Sequence, residues 1–388
     1  MKDLSATTRL PQSGIRRMFD LAKNKTGVVS FCLGEPDFDT PQYIIDAGKE
    51  ALDNGSTHYT DNAGKIELRK AISEYVEDFD HIKYDPESEI CVCSGAMEGL
   101  YLTMTVLLNP GDEVIVADPC YPNYLAQIKM NHGVPVTVPV YEKDGFNFRE
   151  ENLEKAVTKK TKAILLNTPT NPTGGVADHD TLEGISRVAI KHDLYVIQDA
   201  VYKQLIYDDL EYENIASIEG MRERSIYIDS LSKSHAMTGW RVGYICGPAD
   251  VIGVMPKLQE NNISCVASFV QDAAAAALRN KEAGNENIRK MKKEYQRRRD
   301  VFCEGINSIE KLSVKVPKGA FYLFVNIEKT GLSSQEFCER LLESKNVLCS
   351  PGSAFGDMGN NFVRFSYATS MDNILEGIDR IRKFVEEL

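Results

Sequence analysis

Ile226-Tyr-Ile-Asp-Ser-Leu-Ser-Lys-Ser-His-Ala-Met-Thr-Gly-Trp-Arg-Val-Gly243 joins a short apolar run to a polar loop. Ile226–Asp229 has no polar alternation, which is how a strand buried on both faces reads. Lys233 then falls among the hydroxyls of Ser230, Ser232 and Ser234, with Arg241 eight residues further on. In an open α/β sheet, ligands bind at the carboxyl ends of the strands. Alone, a lysine among serines reads equally well as a polar loop, so the surrounding chain has to decide.

Runs of the same kind occur at Ile90–Ser94, Glu113–Ala117, Val134–Val138, Ala163–Asn167, Tyr195–Gln198 and Val242–Cys246. Between them lie helical patterns. Within 64–78, Ile66, Leu68, Ile72 and Val76 share a face, and within 178–192 Leu182, Ile185, Val188 and Ala189 do. Strands alternating with helices predict an α/β domain whose mostly parallel sheet has helices on both faces. The pattern changes near residue 280. A long charged helix is expected over Asn285–Ile309, and its basic run (Lys292, Lys293, Arg297–Arg299) reads as a solvated face. Strands at Leu312–Val316, Phe321–Val325 and Phe362–Ser366, with helices at Ser334–Glu343 and Met371–Glu387, suggest a smaller α+β domain.

Composition bounds the function. The 388 residues carry a net charge of −12 and 26% charged residues, as in an ordinary soluble globular protein. That charge argues against nucleic acid and anionic membrane as partners. No apolar run approaches a bilayer span, and the first ten residues lack the apolar core of a signal peptide. Nine scattered cysteines without a CxxC pair fit reduced thiols in a cytoplasmic protein.

Three more loops end at the same sheet edge. Asn167-Thr-Pro-Thr-Asn-Pro-Thr-Gly-Gly175 is a tight turn that holds Asn171 there. Gln198-Asp-Ala-Val-Tyr202 puts Asp199 directly after a strand, where a buried carboxylate needs a cation or several donors, or else caps a helix. Cys93-Ser-Gly-Ala-Met-Glu98 opens a helix with small residues, leaving backbone N–H groups free for a phosphate.

Together these segments resemble the class I/II pyridoxal-phosphate-dependent aminotransferases of fold type I. The resemblance extends over the whole chain through Leu33-Gly-Glu-Pro-Asp-Phe38, Tyr59-Thr60, Gly64, Leu68-Arg69, Asp118-Pro-Cys-Tyr-Pro-Asn-Tyr124, Arg241 and Arg364, besides the loops above. It implies a seven-stranded, mostly parallel sheet between helices, with a large cofactor-binding domain over 46–284 and a small domain from 1–45 plus 285–388. It implies that Lys233 is the Schiff-base lysine and proton carrier, and that Asp199 pairs with the pyridinium nitrogen. Asn171 and Tyr202 match the residues that hold the cofactor's phenolate oxygen, Tyr121 the ring that stacks on it, and Tyr124 a partner of the aspartate. Gly95, Ala96, Met97, Ser230, Ser232 and Arg241 match the phosphate cup. Tyr59 matches a tyrosine that reaches the phosphate from a neighbouring subunit, which implies a homodimer with shared sites. Arg364, helped by Gly34 and Asn171, matches the grip on the substrate carboxylate. No metal is implied.

The implied reaction is a ping-pong transamination from an L-amino acid to a 2-oxo acid such as 2-oxoglutarate. Three positions depart from the commonest family pattern: Ala200 replaces a frequent Glu, Leu231 a frequent aromatic, and Met97 a polar or basic residue of aspartate-specific relatives. The last leaves no evident cation for a second carboxylate. With Pro11–Phe19, Val201–Asp208 and Gln271–Ala275, it favours aromatic or broad specificity. Aspartate or alanine aminotransferases, a C–S β-lyase and a cyclopropane-forming synthase share the scaffold. A transcription regulator of this fold would need a preceding DNA-binding domain, and only a short tail precedes Gly34.

Overall fold

The computed structural model describes residues 14–388, so the start of the predicted 1–45 segment and of the Pro11–Phe19 stretch lies outside the described residues. Seven strands form the main sheet: β1 (Ile90–Cys93), β2 (Glu113–Asp118), β3 (Val134–Pro139), β4 (Thr161–Asn167), β5 (Tyr195–Asp199), β6 (Ser225–Ser230) and β7 (Gly243–Cys246). Their order is β1-β7-β6-β5-β4-β2-β3. Strands β3, β2, β4, β5 and β6 run parallel, and β7 runs antiparallel to β1 and β6. Each of the seven runs expected for the main sheet is a strand, with ends displaced by no more than two residues.

The absence of alternation has the anticipated cause. Val196 and Ile197 are consecutive in β5 and both fully buried, in apolar clusters on opposite faces. One cluster is completed by Leu100, Leu102 and Met104 from the helix Ala96–Leu107. The other takes Leu182, Ile185 and Val188 from the helix His179–Lys191, which is capped by Asp178 accepting from the Thr181 N–H at 3.0 Å.

A separate apolar cluster joins the two ends of the described chain: Met18 and Phe31 pack with Phe302, Phe337, Phe365 and Ile381. Its antiparallel sheet comprises β8 (Tyr322–Asn326), β9 (Ser350–Pro351) and β10 (Phe362–Ser366), in the order β9-β10-β8. Val29–Ser30 pairs in parallel with Val347–Leu348, and Ser366 N donates to Phe31 O at 2.7 Å.

Two expectations are corrected here. Leu312–Val316 is not a strand, having a single bridge from Ser313 to Asn326; the Asn307 side chain takes the Val314 N–H at 2.8 Å, so that donor is lost to a ladder. The basic run on the helix Lys281–Asn307 is not wholly solvated. Consecutive residues turn about 100° around a helix, and Arg298 and Arg299 point inward, to Asp37 at 2.8 Å and Asp208 at 2.7 Å. All nine cysteines are free. Among the described residues no group of side chains could hold a metal, and no helix is long and apolar enough to cross a membrane.

Candidate active site

The carboxyl ends of β4, β5 and β6 and the amino end of β7 open onto a cleft of about 410 Å³. A larger groove, of about 1130 Å³, passes Lys203, Tyr212 and Arg222 but contains none of the predicted site residues.

Lys233 sits in the one-turn helix Leu231–Ser234 that β6 runs into, and its Nζ donates to the Gly34 carbonyl at 2.6 Å. Burial lowers its pKa to about 8; Arg241 and Arg364 push the same way, against Glu35 and Asp199. The amine is therefore available neutral at a pH where an ordinary lysine is charged.

Asp199, the last residue of β5, is 4% exposed. Tyr124 donates to its Oδ2 at 2.7 Å, and the Val201 N–H approaches its Oδ1 at 3.3 Å. Burial raises its pKa to about 6, the two donors and Lys233 opposing. A carboxylate in this state stands to gain from a cation on its open side. Tyr121 packs edge-on against Tyr124 with ring centroids 5.5 Å apart, at the same wall of the cleft.

Arg364 comes from β10, across the cleft. Its Nη1 donates to Asn171 Oδ1 at 2.9 Å and its Nη2 to Cys32 O at 2.8 Å and Ser350 Oγ at 3.3 Å. Its guanidinium lies over the Tyr322 ring at 4.4 Å and the Phe355 ring at 4.9 Å. Nε is buried without a partner among the described residues. Asn171 is placed by its own turn, where Asn167 Oδ1 accepts the Asn171 N–H at 2.9 Å.

At the other end, Gly95 (φ 75°) turns the chain into the helix Ala96–Leu107. The N–H groups of Ala96 and Met97, in the first turn, have no carbonyl four residues behind them. A Cβ on Gly95 would overlap the Arg241 guanidinium, so glycine is what lets the cation lie against the loop. Arg241 precedes the antiparallel β7 in a left-handed conformation (φ 52°), its Nη1 held by Thr238 O at 2.8 Å. Ser230 and Ser232 line the cleft beside it. Amides, hydroxyls and a guanidinium make a donor set for a phosphate dianion.

The structure thus gathers Gly34, Ala96, Met97, Tyr121, Tyr124, Asn171, Asp199, Tyr202, Ser230, Ser232, Lys233, Arg241 and Arg364 around one cleft, with Gly95 directly behind Arg241. It does not bring Tyr59 there: that ring is 87% exposed and lines no part of the cleft of its own chain. Sequence reasoning missed Tyr322, whose hydroxyl bonds that of Tyr202 at 2.8 Å. Ile15 and Phe19, inside the Pro11–Phe19 stretch read for specificity but not named there as site residues, add apolar wall from the helix Gly14–Ala22. Tyr322 lies in an apolar run that signals only a buried strand. The Gly34 requirement could have hinted at a large neighbour, since a Cβ there would stand 2.8 Å from the Tyr322 hydroxyl.

The family model described as "Aminotransferase class I and II" matches residues 26–381. The chain is similar to an aspartate aminotransferase of Pyrococcus abyssi, with 44% identity over 97% of this chain and 96% of that one. It is similar to aromatic-amino-acid aminotransferase 2 of Thermococcus litoralis, with 42% identity over 97% and 96%. Among solved structures, the aromatic aminotransferase of Pyrococcus horikoshii matches with a TM-score of 0.91 and 42% identity over 95% of this chain and 99% of that one.

Proposed function

The chain belongs to the class I and II aminotransferases, enzymes dependent on pyridoxal phosphate, and from that membership we propose that it moves the amino group of an L-amino acid to 2-oxoglutarate by a ping-pong route through Lys233. The observation that carries this reading is the Lys233 amine, depressed to a pKa of about 8 and set in one cleft with Asp199 and Arg364. The cleft fits the cofactor on two counts: the phosphate donor set with its glycine cradle, and the underpaired acid at Asp199. When bound, the cofactor supplies a protonated ring that takes up the negative charge left on the substrate α-carbon.

The chain's own residues do the rest. Ala96, Met97, Ser230, Ser232 and Arg241 hold the phosphate and fix the ring's position. Asp199, oriented by Tyr124, would keep the ring nitrogen protonated, Asn171 and Tyr202 would serve the ring's oxygen, and Tyr121 would pack against the ring. Arg364 takes the α-carboxylate with a planar fork, which turns the Cα–H bond toward Lys233. Lys233 moves the proton as general base and then acid, its neutral form secured by burial.

For the donor we favour an aromatic or broad range of amino acids. Ile15, Phe19, Leu33 and Met97 give the cleft an apolar wall. Its cations, Lys233, Arg241 and Arg364, already have partners in this scheme. The division into domains 46–284 and 1–45 plus 285–388 belongs to the same reading, as do a cytoplasmic setting and a homodimer in which the exposed Tyr59 serves the site of a second copy. Steady-state rates for a panel of amino donors against 2-oxoglutarate test the specificity; phenylalanine and tyrosine no faster than glycine would refute it. Lys233→Ala should abolish turnover and the visible imine band of the bound cofactor with the fold intact, and a retained imine band would overturn the central assignment.

A further inference from the structure

Tyr322 is fully buried, yet its hydroxyl reaches the cleft. It lies in β8 and meets the cleft from the side opposite β5, whose following turn carries Tyr202. Three site groups touch it. Its hydroxyl bonds that of Tyr202 at 2.8 Å, its ring lies under the Arg364 guanidinium at 4.4 Å, and its oxygen occupies the space that a Gly34 side chain would need. Tyr202 and Tyr322 also pack edge-on, with centroids 5.8 Å apart, so the contact between their hydroxyls is held by two rings and not by one flexible end.

A phenol has one hydrogen to give and can accept through its oxygen. If Tyr202 gives its hydrogen to Tyr322, it has none for another acceptor. If Tyr322 is the donor, the Tyr202 hydrogen is free to point into the cleft, and accepting a bond makes Tyr202 a stronger donor in turn. An anionic oxygen opposite Tyr202 selects the second arrangement, because a charge-assisted bond is the stronger one.

We propose that Tyr322 is a positioning residue of this active site, donating to the Tyr202 hydroxyl so that Tyr202 can donate to the cofactor's phenolate oxygen. This rests on the reading of Tyr202 given above. The charged or titrating groups that face the pair are Arg364 over Tyr322, Lys233 5.9 Å from the Tyr202 ring centre, and Tyr121. Burial raises the pKa of both phenols and outweighs the nearby Arg364 charge, which lowers it, so both stay neutral donors.

The test is a pH titration of the visible absorbance of the holoenzyme for the parent, Tyr322→Phe, Tyr202→Phe and the double variant. A lost hydrogen bond of ordinary strength corresponds to a shift of about half to one pH unit. Tyr322→Phe should raise the midpoint by about that amount, Tyr202→Phe should raise it at least as much, and the double variant should match Tyr202→Phe alone. A Tyr322→Phe midpoint equal to the parent's, with Tyr202→Phe shifted, would overturn the role of Tyr322 and leave that of Tyr202 standing. Shifts that add in the double variant would also overturn it, since Tyr322 would then act by another route. No shift in Tyr202→Phe would sink the underlying reading as well. Phenylalanine keeps the ring beneath Arg364, so KM for the amino donor should change less than kcat; a rise in KM alone would mean that Tyr322 serves only the carboxylate site.

Discussion

Arg364→Lys should cost this enzyme about 30-fold to about 1000-fold in kcat/KM while leaving a folded protein. The figure follows from what the guanidinium does in place. Its two terminal nitrogens are anchored by Asn171, Cys32 O and Ser350, and its plane is fixed by Tyr322 and Phe355. Nη1 keeps one hydrogen beyond its Asn171 bond and Nη2 can exchange its long Ser350 bond, so the planar fork can turn two donors to a carboxylate where a lysine ammonium presents one. A lost hydrogen bond to a charged group is worth roughly 1.5–3 kcal/mol, and the poorer orientation of the substrate adds to that, so about 2–4 kcal/mol is at stake in the transition state. At about 1.4 kcal/mol per tenfold, this is the range stated. The assay is steady-state kcat/KM with the best amino donor, beside the melting temperature of each protein. A variant within threefold of the parent, equally stable, would refute the placement of the substrate carboxylate at Arg364.

Reconstitution of the apoenzyme should depend on Lys233 being neutral. Because its pKa is lowered to about 8, the rate of cofactor capture should rise with pH through about 8 and then level, whereas a rise continuing past pH 10, followed by stopped-flow absorbance, would contradict the lowered value. Lys203 holds two buried carboxylates, Asp80 at 2.8 Å and Asp229 at 3.4 Å. Lys203→Met should destabilise the fold by about 3–5 kcal/mol in urea unfolding, and adding Asp80→Asn should recover part of the loss. Gly95→Ala should push Arg241 off the loop and weaken cofactor binding by tenfold or more in equilibrium dialysis, since the position combines a left-handed φ of 75° with a Cβ overlap.

The main sheet was legible because strands buried on both faces write themselves as unbroken apolar runs, and the loops after β4, β5 and β6 then placed Asn171, Asp199 and Lys233 at one edge. Arg241 was legible only by resemblance: β7 is antiparallel, so its amino end faces the cleft, and a rule about carboxyl ends does not reach it. Arg364 reads as any strand residue, because its meaning depends on β10 crossing to meet Asn171, 193 positions away in the chain. The charge at Arg298 and Arg299 misled for a related reason. A basic run predicts solvent unless its partners, Asp37 and Asp208, are known to lie opposite. Tyr322 was invisible, since aromatic residues in a strand signal packing and its hydroxyl gains a function only from the neighbour it meets.

The parallel pairing of Val29–Ser30 with Val347–Leu348 has a consequence for synthesis of the protein. The segment that carries Gly34, and so the carbonyl that receives the Lys233 amine, has its backbone partners at Asn346, Leu348 and Ser366. On the ribosome the large sheet can form well before these residues emerge. The cleft, in contrast, closes only when the tail of the chain folds back onto its beginning. A nascent chain arrested before residue 346 should therefore hold an ordered sheet and no competent site, and the last strands to be made complete the first loop.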